Sequence, residues 1–176
     1  GGAGRRVADA CAGGDRGRLG ARQSCGGRRS GRRRVCAERG CVIPPALVRD
    51  VLHRGEGGRG HFLLYPAKGW PHKNHDRLLR AFELLRGDLP DLQLVLTGVT
   101  SAELPPLPPG VVAAGFVDSG ELSRLYATAA ALVYPSLYEG FGLPVIEAMA
   151  AGCPVAASRA GALPEVIGNA GVLFDP

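Results

Sequence analysis

Short apolar runs alternate with helical patterns along residues 61 to 176, and this alternation restricts the possible folds more than any other feature. Six runs predict buried strands: HFLLYP, LQLVLTG, VVAAGFV, ALVYPS, PVAAS and GVLF. Four segments between them predict helices: residues 75 to 86, Ser119 or Glu121 to about Ala130, LPVIEAMAA and LPEVI. Strands and helices alternating in this way form a parallel sheet covered on both faces. We therefore predict an α/β fold, a Rossmann-like doubly wound parallel sheet.

The N-terminal third has a different composition. Residues 1 to 60 contain fourteen Arg and five acidic residues, a net charge near +9, whereas residues 61 to 176 sum to about −4. Runs such as GGRRSGRRR have no apolar period, so burial cannot offset the entropy cost of ordering them. We expect residues 1 to 41 to be a disordered Arg/Gly-rich tract or a sequence outside the native reading frame. Residues 42 to 176 are predicted to form the folded domain.

The Arg/Gly-rich tract also permits a nucleic-acid-binding protein, because arginines neutralise phosphates. No aromatic side chain precedes Phe62, however, and base stacking usually accompanies such binding. A solvated tail is therefore favoured over a nucleic-acid partner. Four cysteines of the tract lack Cys-x-x-Cys spacing, so a zinc site is a weak hypothesis. They are Cys11, Cys25, Cys36 and Cys41.

Localisation is predicted from apolar stretches. Residues 143 to 157 form the longest one, and Glu147 and two prolines interrupt it, which argues against a transmembrane helix. No apolar region typical of a signal peptide follows the N-terminal charges. We expect a cytoplasmic protein, with the inner face of the membrane as an alternative location and membrane contact at most peripheral. Cys153 is predicted to be a buried, reduced thiol.

Ligands of doubly wound sheets bind beyond the carboxyl ends of the strands. Four loops follow predicted strands: Pro66 to Lys73, Thr97 to Thr100, Ser136 to Gly142, and Ser158 to Gly161. In the third loop Gly140 and Gly142 directly precede a helix, whose free N–H groups and dipole favour an anion. Glu139 and Glu147 flank that anion site, and carboxylates accept hydrogen bonds from vicinal sugar hydroxyls. The pattern indicates a nucleotide sugar, although Glu139 alone is equally well explained as a solvated acid near a helix start.

These residues also carry a family resemblance. The string EGFGLPVIE resembles the Glu-x7-Glu motif of the retaining glycosyltransferases of family 4, also called group 1. YPAKGWPHKNHDRLLRAF, LQLVLTG and GFVDSGELSRLYATA match other blocks of the family in the same order. The resemblance covers about residues 61 to 176, with Val42 as an alternative start. It implies the C-terminal, donor-binding half of a GT-B fold, incomplete at its own C-terminus, in a truncated chain.

The resemblance assigns roles around the Glu-x7-Glu motif. It implies that Glu147 binds the ribose hydroxyls of the donor and that Glu139 is a catalytic residue facing the transferred sugar. Backbone N–H groups of Phe141, Gly142 and Leu143 would bind phosphate or sugar oxygens.

It assigns further roles to the loops after the first two strands. Lys73 matches the lysine that neutralises the departing diphosphate, a catalytic role. Lys68 stands where the family usually has arginine, so it is either a donor-binding cation or a solvated lysine. Thr97 and Gly98 would line the nucleotide, and Glu165 would lie near the base or cap a helix.

The implied reaction is transfer of a hexose from GDP-mannose or a UDP-sugar to a glycan or lipid-linked acceptor, with retention. A separate N-terminal domain would bind the acceptor, and an inactive fragment is the alternative. No metal or other cofactor is expected, because no Asp-x-Asp string occurs. His72 and His75 are interpreted as loop or capping groups rather than metal ligands.

Overall fold

Six parallel strands form one sheet in the computed structural model, which describes residues 58–176. The strands are β1 (Phe62–Pro66), β2 (Gln93–Thr97), β3 (Val111–Ala113), β4 (Ala131–Tyr134), β5 (Val155–Ser158) and β6 (Val172–Phe174). Their order across the sheet is β3-β2-β1-β4-β5-β6. The predicted doubly wound α/β fold is thereby confirmed. The predicted boundary after residue 41, and the four N-terminal cysteines, lie outside the described residues.

Four helices connect the strands. They are α1 (His75–Arg86), α2 (Ser119–Thr128), α3 (Leu143–Ala150) and α4 (Leu163–Ile167), with 3₁₀ turns at Pro71–Lys73 and Ser101–Glu103. Helix α1 has the predicted bounds and buries the predicted apolar stripe, which includes Leu78 and Phe82. The Asp118 carboxylate caps α2 by accepting a hydrogen bond from the Glu121 N–H at 2.8 Å. None of the helices in this part of the chain is long and apolar enough to cross a membrane.

The core is built from the central strands. All four residues of β4 and of β5 are buried, as expected for parallel strands covered on both faces. Strand β3 lies at an edge and is shorter than the predicted run over residues 111 to 117. The chain turns away from the sheet at Gly115, which has φ +68° and donates its N–H to the Val99 carbonyl at 3.2 Å. This turn accounts for the difference.

The strand order reverses between β1 and β4. From β1 the chain continues to β2 on one side, and from β4 it continues to β5 on the other. The loops after β1 and β4 therefore diverge and leave a crevice at the carboxyl ends of these strands, the usual ligand position in this fold. Several hydrogen bonds join the loops, among them the Leu137 N–H to the His72 carbonyl at 2.8 Å, Ser136 Oγ to the same carbonyl at 3.2 Å, and Asn74 Nδ2 to the Pro135 carbonyl at 3.1 Å.

At the amino ends of the strands, opposite the crevice, Arg59 hydrogen-bonds to the C-terminal ends of two helices. Its Nη1 donates to the Ala127 carbonyl at 2.8 Å, and its Nη2 donates to the Gly152 carbonyl at 2.8 Å. These carbonyls lie at the negative ends of α2 and α3. We expect Arg59→Gln to lower the free energy of unfolding by about 1 to 2 kcal/mol in urea titrations. The control Arg80→Gln changes an exposed arginine of α1, and equal losses in both variants would contradict this role.

Candidate functional site

An ion pair with both side chains largely buried lies at the crevice between β1 and β4. Lys73 ends the 3₁₀ turn after β1, and Glu139 lies in the loop between β4 and α3. Lys73 Nζ is 2.5 Å from Glu139 Oε1, and each side chain is 11% exposed. Nζ also donates a hydrogen bond to the Tyr134 hydroxyl at 3.2 Å. The structure therefore brings together the two residues predicted to be catalytic, and Glu139 is not the solvated acid of the alternative interpretation.

A side chain of β1 fixes the backbone of Lys73. The hydroxyl of Tyr65, a fully buried residue, donates to the Lys73 carbonyl at 2.6 Å. Asn74 follows in the left-handed region, at φ +61°, which asparagine tolerates better than most residues. This turn ends the 3₁₀ segment and begins α1, so the lysine side chain leaves the loop at the carboxyl end of β1.

Glu139 is held by the loop between β5 and α4. Its carbonyl accepts a hydrogen bond from the Ala162 N–H at 3.2 Å. Gly161 packs so closely that a Cβ there would lie 2.4 Å from the Glu139 carbonyl oxygen and 2.9 Å from its nitrogen. Position 161 therefore requires glycine, both for this approach and for its φ of +54°. The Ser158 hydroxyl also donates to the Ser136 carbonyl, which ties the end of β5 to the loop of Glu139.

Tyr134 lies beside both charges of the ion pair. Burial raises the pKa of its hydroxyl most, and the Glu139 carboxylate, to which the hydroxyl is hydrogen-bonded, raises that pKa further. Glu147 adds a smaller effect in the same direction, so both carboxylates act on one hydroxyl. Tyr134 is therefore a neutral group that links Lys73 to Glu139.

Glu147 lies on α3 and is exposed. Its Oε2 accepts a hydrogen bond from the Tyr126 hydroxyl at 2.9 Å. Tyr126 comes from α2 and is only 3% exposed, so a buried ring carries the hydroxyl that holds a surface carboxylate. Among residues 58–176, Oε1 of Glu147 accepts no hydrogen bond and remains open to a ligand.

The N-terminus of α3 forms the third part of the site. Gly142 precedes the helix at φ +78°, and a Cβ there would lie 2.7 Å from Leu163 Cδ2. Within the described part of the chain, no hydrogen bond uses the N–H groups of Phe141, Gly142 or Leu143. Phe141 and Leu143 are each 60% exposed. Free N–H groups at a helix start are suited to an anion.

Three predicted residues lie apart from the ion pair. Lys68 is exposed, and its Nζ is 5.2 Å from the centroid of the Trp70 ring, a cation–π contact. Gly98 has φ +79°, and a Cβ there would lie 3.3 Å from the Ala67 carbonyl, so it lets the loop after β2 approach the loop after β1. Thr97 is buried at the end of β2. No hydrogen bond or ion pair of the described residues joins Lys68 to Lys73 or Glu139.

His75 differs from its interpretation as a loop or capping group. It is the first residue of α1, it is buried, and its ring centroid is 5.0 Å from that of Tyr65. Burial is the main cause that lowers the pKa of His75. His72 lies in the 3₁₀ turn with its ring 5.6 Å from Trp70, and Glu165 is exposed in the first turn of α4. Within residues 58–176, no group of three or more His, Cys, Asp or Glu side chains could hold a metal ion.

The sequence analysis missed the tyrosines and the glycine that hold the charged residues. Tyr65 and Tyr134 each precede a proline at the end of a central strand, in the strings LLYP and LVYP. A buried tyrosine needs a partner for its hydroxyl, so these strings contained a usable signal. Tyr126 falls within the predicted helix that starts at Ser119 or Glu121, and no role in the site was predicted for it. Gly161 carried no signal, because its contact with Glu139 depends on the packing of two distant loops.

Comparison with known proteins agrees with this geometry. The family described as "Glycosyl transferases group 1" matches residues 54–176. The chain is 38% identical over 149 residues to O-antigen chain mannosyltransferase B of Escherichia coli, covering 75% of this chain and 37% of that protein. It is 39% identical over 140 residues to the MMP alpha-(1->4)-mannosyltransferase of Mycolicibacterium hassiacum, covering 74% and 34%. The chain thus spans about a third of the length of these relatives.

A solved structure is similar over most of its length. The C-terminal domain of the glycosyl transferase group 1 family protein LpcC from Francisella tularensis is 26% identical, with a TM-score of 0.56 and 78% of each chain covered. The family match begins between Val42 and residue 61, the two predicted starts of the resemblance, and includes every site residue described above. From its match over more than half of its length, the chain belongs to the glycosyl transferases group 1 family.

Proposed function

We propose that this chain is the donor-binding part of a glycosyltransferase that transfers a hexose from a nucleoside-diphosphate sugar to a glycan or lipid-linked acceptor. The observation that carries the proposal is the buried Lys73–Glu139 pair beside the free N-terminus of α3, at the point where the strand order reverses. A buried ammonium and free backbone N–H groups suit a diphosphate, and carboxylates on either side suit sugar hydroxyls.

The proposed mechanism assigns one task to each group. Glu147 accepts hydrogen bonds from the ribose hydroxyls through the oxygen that Tyr126 leaves open. Lys73 and the N–H groups of Phe141, Gly142 and Leu143 stabilise the negative charge of the departing diphosphate. Glu139 faces the transferred sugar. Front-face transfer with retention, and an acceptor bound by a separate domain, rest on the family resemblance.

Mannose is the first donor sugar to test. Both relatives described above are named mannosyltransferases, and the WPHKNH string resembles that of family members acting on mannose or other hexose donors. We therefore propose GDP-mannose, with UDP-sugars as the alternative. A lipid-linked acceptor would place the reaction at the cytoplasmic face of a membrane. Lys68 is proposed as an additional cation for the donor, and no metal is assigned to the reaction.

Glu147→Ala tests the proposed donor site. We expect the variant to bind GDP more weakly by about 1.5 to 3 kcal/mol, the range for a hydrogen bond to a charged group. The measurement is titration calorimetry of the full chain with GDP, UDP and GDP-mannose. Glu83→Ala serves as the control because it removes an equal charge from an exposed position of α1.

Two outcomes would count against the proposal. A folded wild-type chain that binds no nucleoside diphosphate would favour an inactive fragment. Equal affinities in the wild type and Glu147→Ala would leave a nucleotide site but remove Glu147 from it. Circular dichroism of each sample shows whether the protein is folded.

A further inference from the structure

Tyr126 is fixed at both its backbone and its ring. It is the buried residue of α2, 3% exposed, and it belongs to the apolar core. Its backbone carbonyl accepts a hydrogen bond from Arg59 Nη1 at 3.1 Å. Its hydroxyl reaches out of the core to Glu147 Oε2 at 2.9 Å. The orientation of this hydroxyl is therefore set by the fold and not by the ligand.

Without a hydrogen-bond partner, the Glu147 side chain could adopt several conformations. It is an exposed residue on α3, and no other side chain in residues 58–176 hydrogen-bonds its carboxylate. Ordering a glutamate side chain costs more conformational entropy than ordering most other side chains. A carboxylate that is already oriented spares the ligand this cost on binding. The hydrogen bond uses one oxygen and leaves the other free.

We propose that Tyr126 is a positioning residue for Glu147, holding one carboxylate oxygen so that the other faces the vicinal ribose hydroxyls of a nucleoside diphosphate. This inference rests on the function proposed above. It adds a residue of α2 that does not itself touch the ligand. Burial, and after it the hydrogen bond to Glu147, raise the pKa of the Tyr126 hydroxyl. The hydroxyl therefore remains protonated and a hydrogen-bond donor at neutral pH.

Tyr126→Phe removes the hydroxyl and keeps the buried ring. We expect this variant to bind GDP about tenfold more weakly, the equivalent of ~1.4 kcal/mol. Binding of 2′,3′-dideoxy-GDP, which lacks the ribose hydroxyls, should change by less than about twofold. A merely structural role would weaken both nucleotides equally. Equal losses, or GDP affinity within about twofold of the wild type, would overturn the proposal.

The same substitution in a Glu147→Ala background gives an independent test. With the carboxylate gone, Tyr126→Phe should cause no further loss of GDP affinity, because contacts that act through one residue are not additive. A further tenfold loss in that background would show that Tyr126 acts by another route. The thermal midpoint of the Tyr126→Phe variant should stay near that of the wild type, since the solvated Glu147 carboxylate can replace the lost bond with water.

Crystal structures of the two proteins decide the point without any nucleotide. We expect one Glu147 conformer in the wild type, with Oε2 on the Tyr126 hydroxyl, and several conformers in Tyr126→Phe. A single unchanged conformer in both proteins would overturn the positioning role. If the wild type binds neither GDP nor UDP but its Glu147 is ordered by Tyr126, the proposed function fails while the positioning contact stands.

Discussion

Lys73→Met is expected to lower the free energy of unfolding by about 3 to 5 kcal/mol, the range for removing one partner of a buried ion pair. The loss arises because the Glu139 side chain, only 11% exposed, is left without its cationic partner. Tyr134 remains as a hydrogen-bond partner but brings no positive charge. Urea denaturation of the full chain, followed by circular dichroism, measures the effect.

The double variant Lys73→Met, Glu139→Leu separates the buried charge from loss of packing. With no charge left in the crevice, most of the lost stability should return, since apolar replacements of a buried pair are often neutral. A single-variant loss below about 1 kcal/mol would mean that the pair behaves as a solvated surface pair. A double variant as unstable as Lys73→Met would assign the loss to packing.

The fold could be predicted because the periodicity of the sequence is strong. Helix α1 was predicted with its observed bounds, since its apolar residues recur at helical spacing and charges fill the opposite face. Strand ends were less predictable. The run over residues 111 to 117 is apolar throughout, yet only Val111–Ala113 pairs with β2, because Gly115 turns the chain away. The 3₁₀ turns gave no periodic signal.

The site was predictable only where residue types carry their chemistry in the sequence. Glu139 was found because it borders the glycine-containing loop before a helix, whereas Lys73 was found through the family resemblance, which assigned roles to both. That they form a buried pair depends on how the loops after β1 and β4 meet, which no local pattern contains. Tyr65 and Tyr134 look like core residues in the sequence, and only their register at the strand ends brings their hydroxyls to Lys73.

The ion pair also connects stability with the proposed chemistry. In the structure Lys73 and Glu139 satisfy each other. A diphosphate at Lys73 would supply a second anion, and two anions beside one ammonium favour release of Glu139 toward the sugar. Burying the pair costs stability. Under the proposed function, it also places a cation in advance where the donor diphosphate binds. The contacts that hold Glu139 therefore affect both stability and the proposed chemistry.

Gly161→Ala is expected to disturb Glu139 without changing any charge. A Cβ at this position would lie 2.4 Å from the Glu139 carbonyl oxygen, and backbone atoms cannot rotate aside as a side chain can. We expect a stability loss of roughly 2 to 5 kcal/mol, combining overpacking with the cost of a positive φ. Gly152→Ala is the matched control, with φ +68° and a Cβ in ordinary contact at 3.5 Å from Arg59 Nη2. It should lose only about 1 to 2 kcal/mol.

Combining Gly161→Ala with Lys73→Met shows whether the stability loss in Gly161→Ala arises from the ion pair. If the methyl group added by Gly161→Ala displaces Glu139, the pair is already broken, so adding Lys73→Met should cost less in that variant than in the wild type. In Gly152→Ala the stability loss caused by Lys73→Met should equal that in the wild type, because Gly152 lies at the amino ends of the strands, away from the ion pair. Additive losses in both backgrounds would mean that Gly161 supports the loop alone. A coupling confined to Gly161 would make the β5–α4 loop part of the apparatus that places Glu139 beside Lys73.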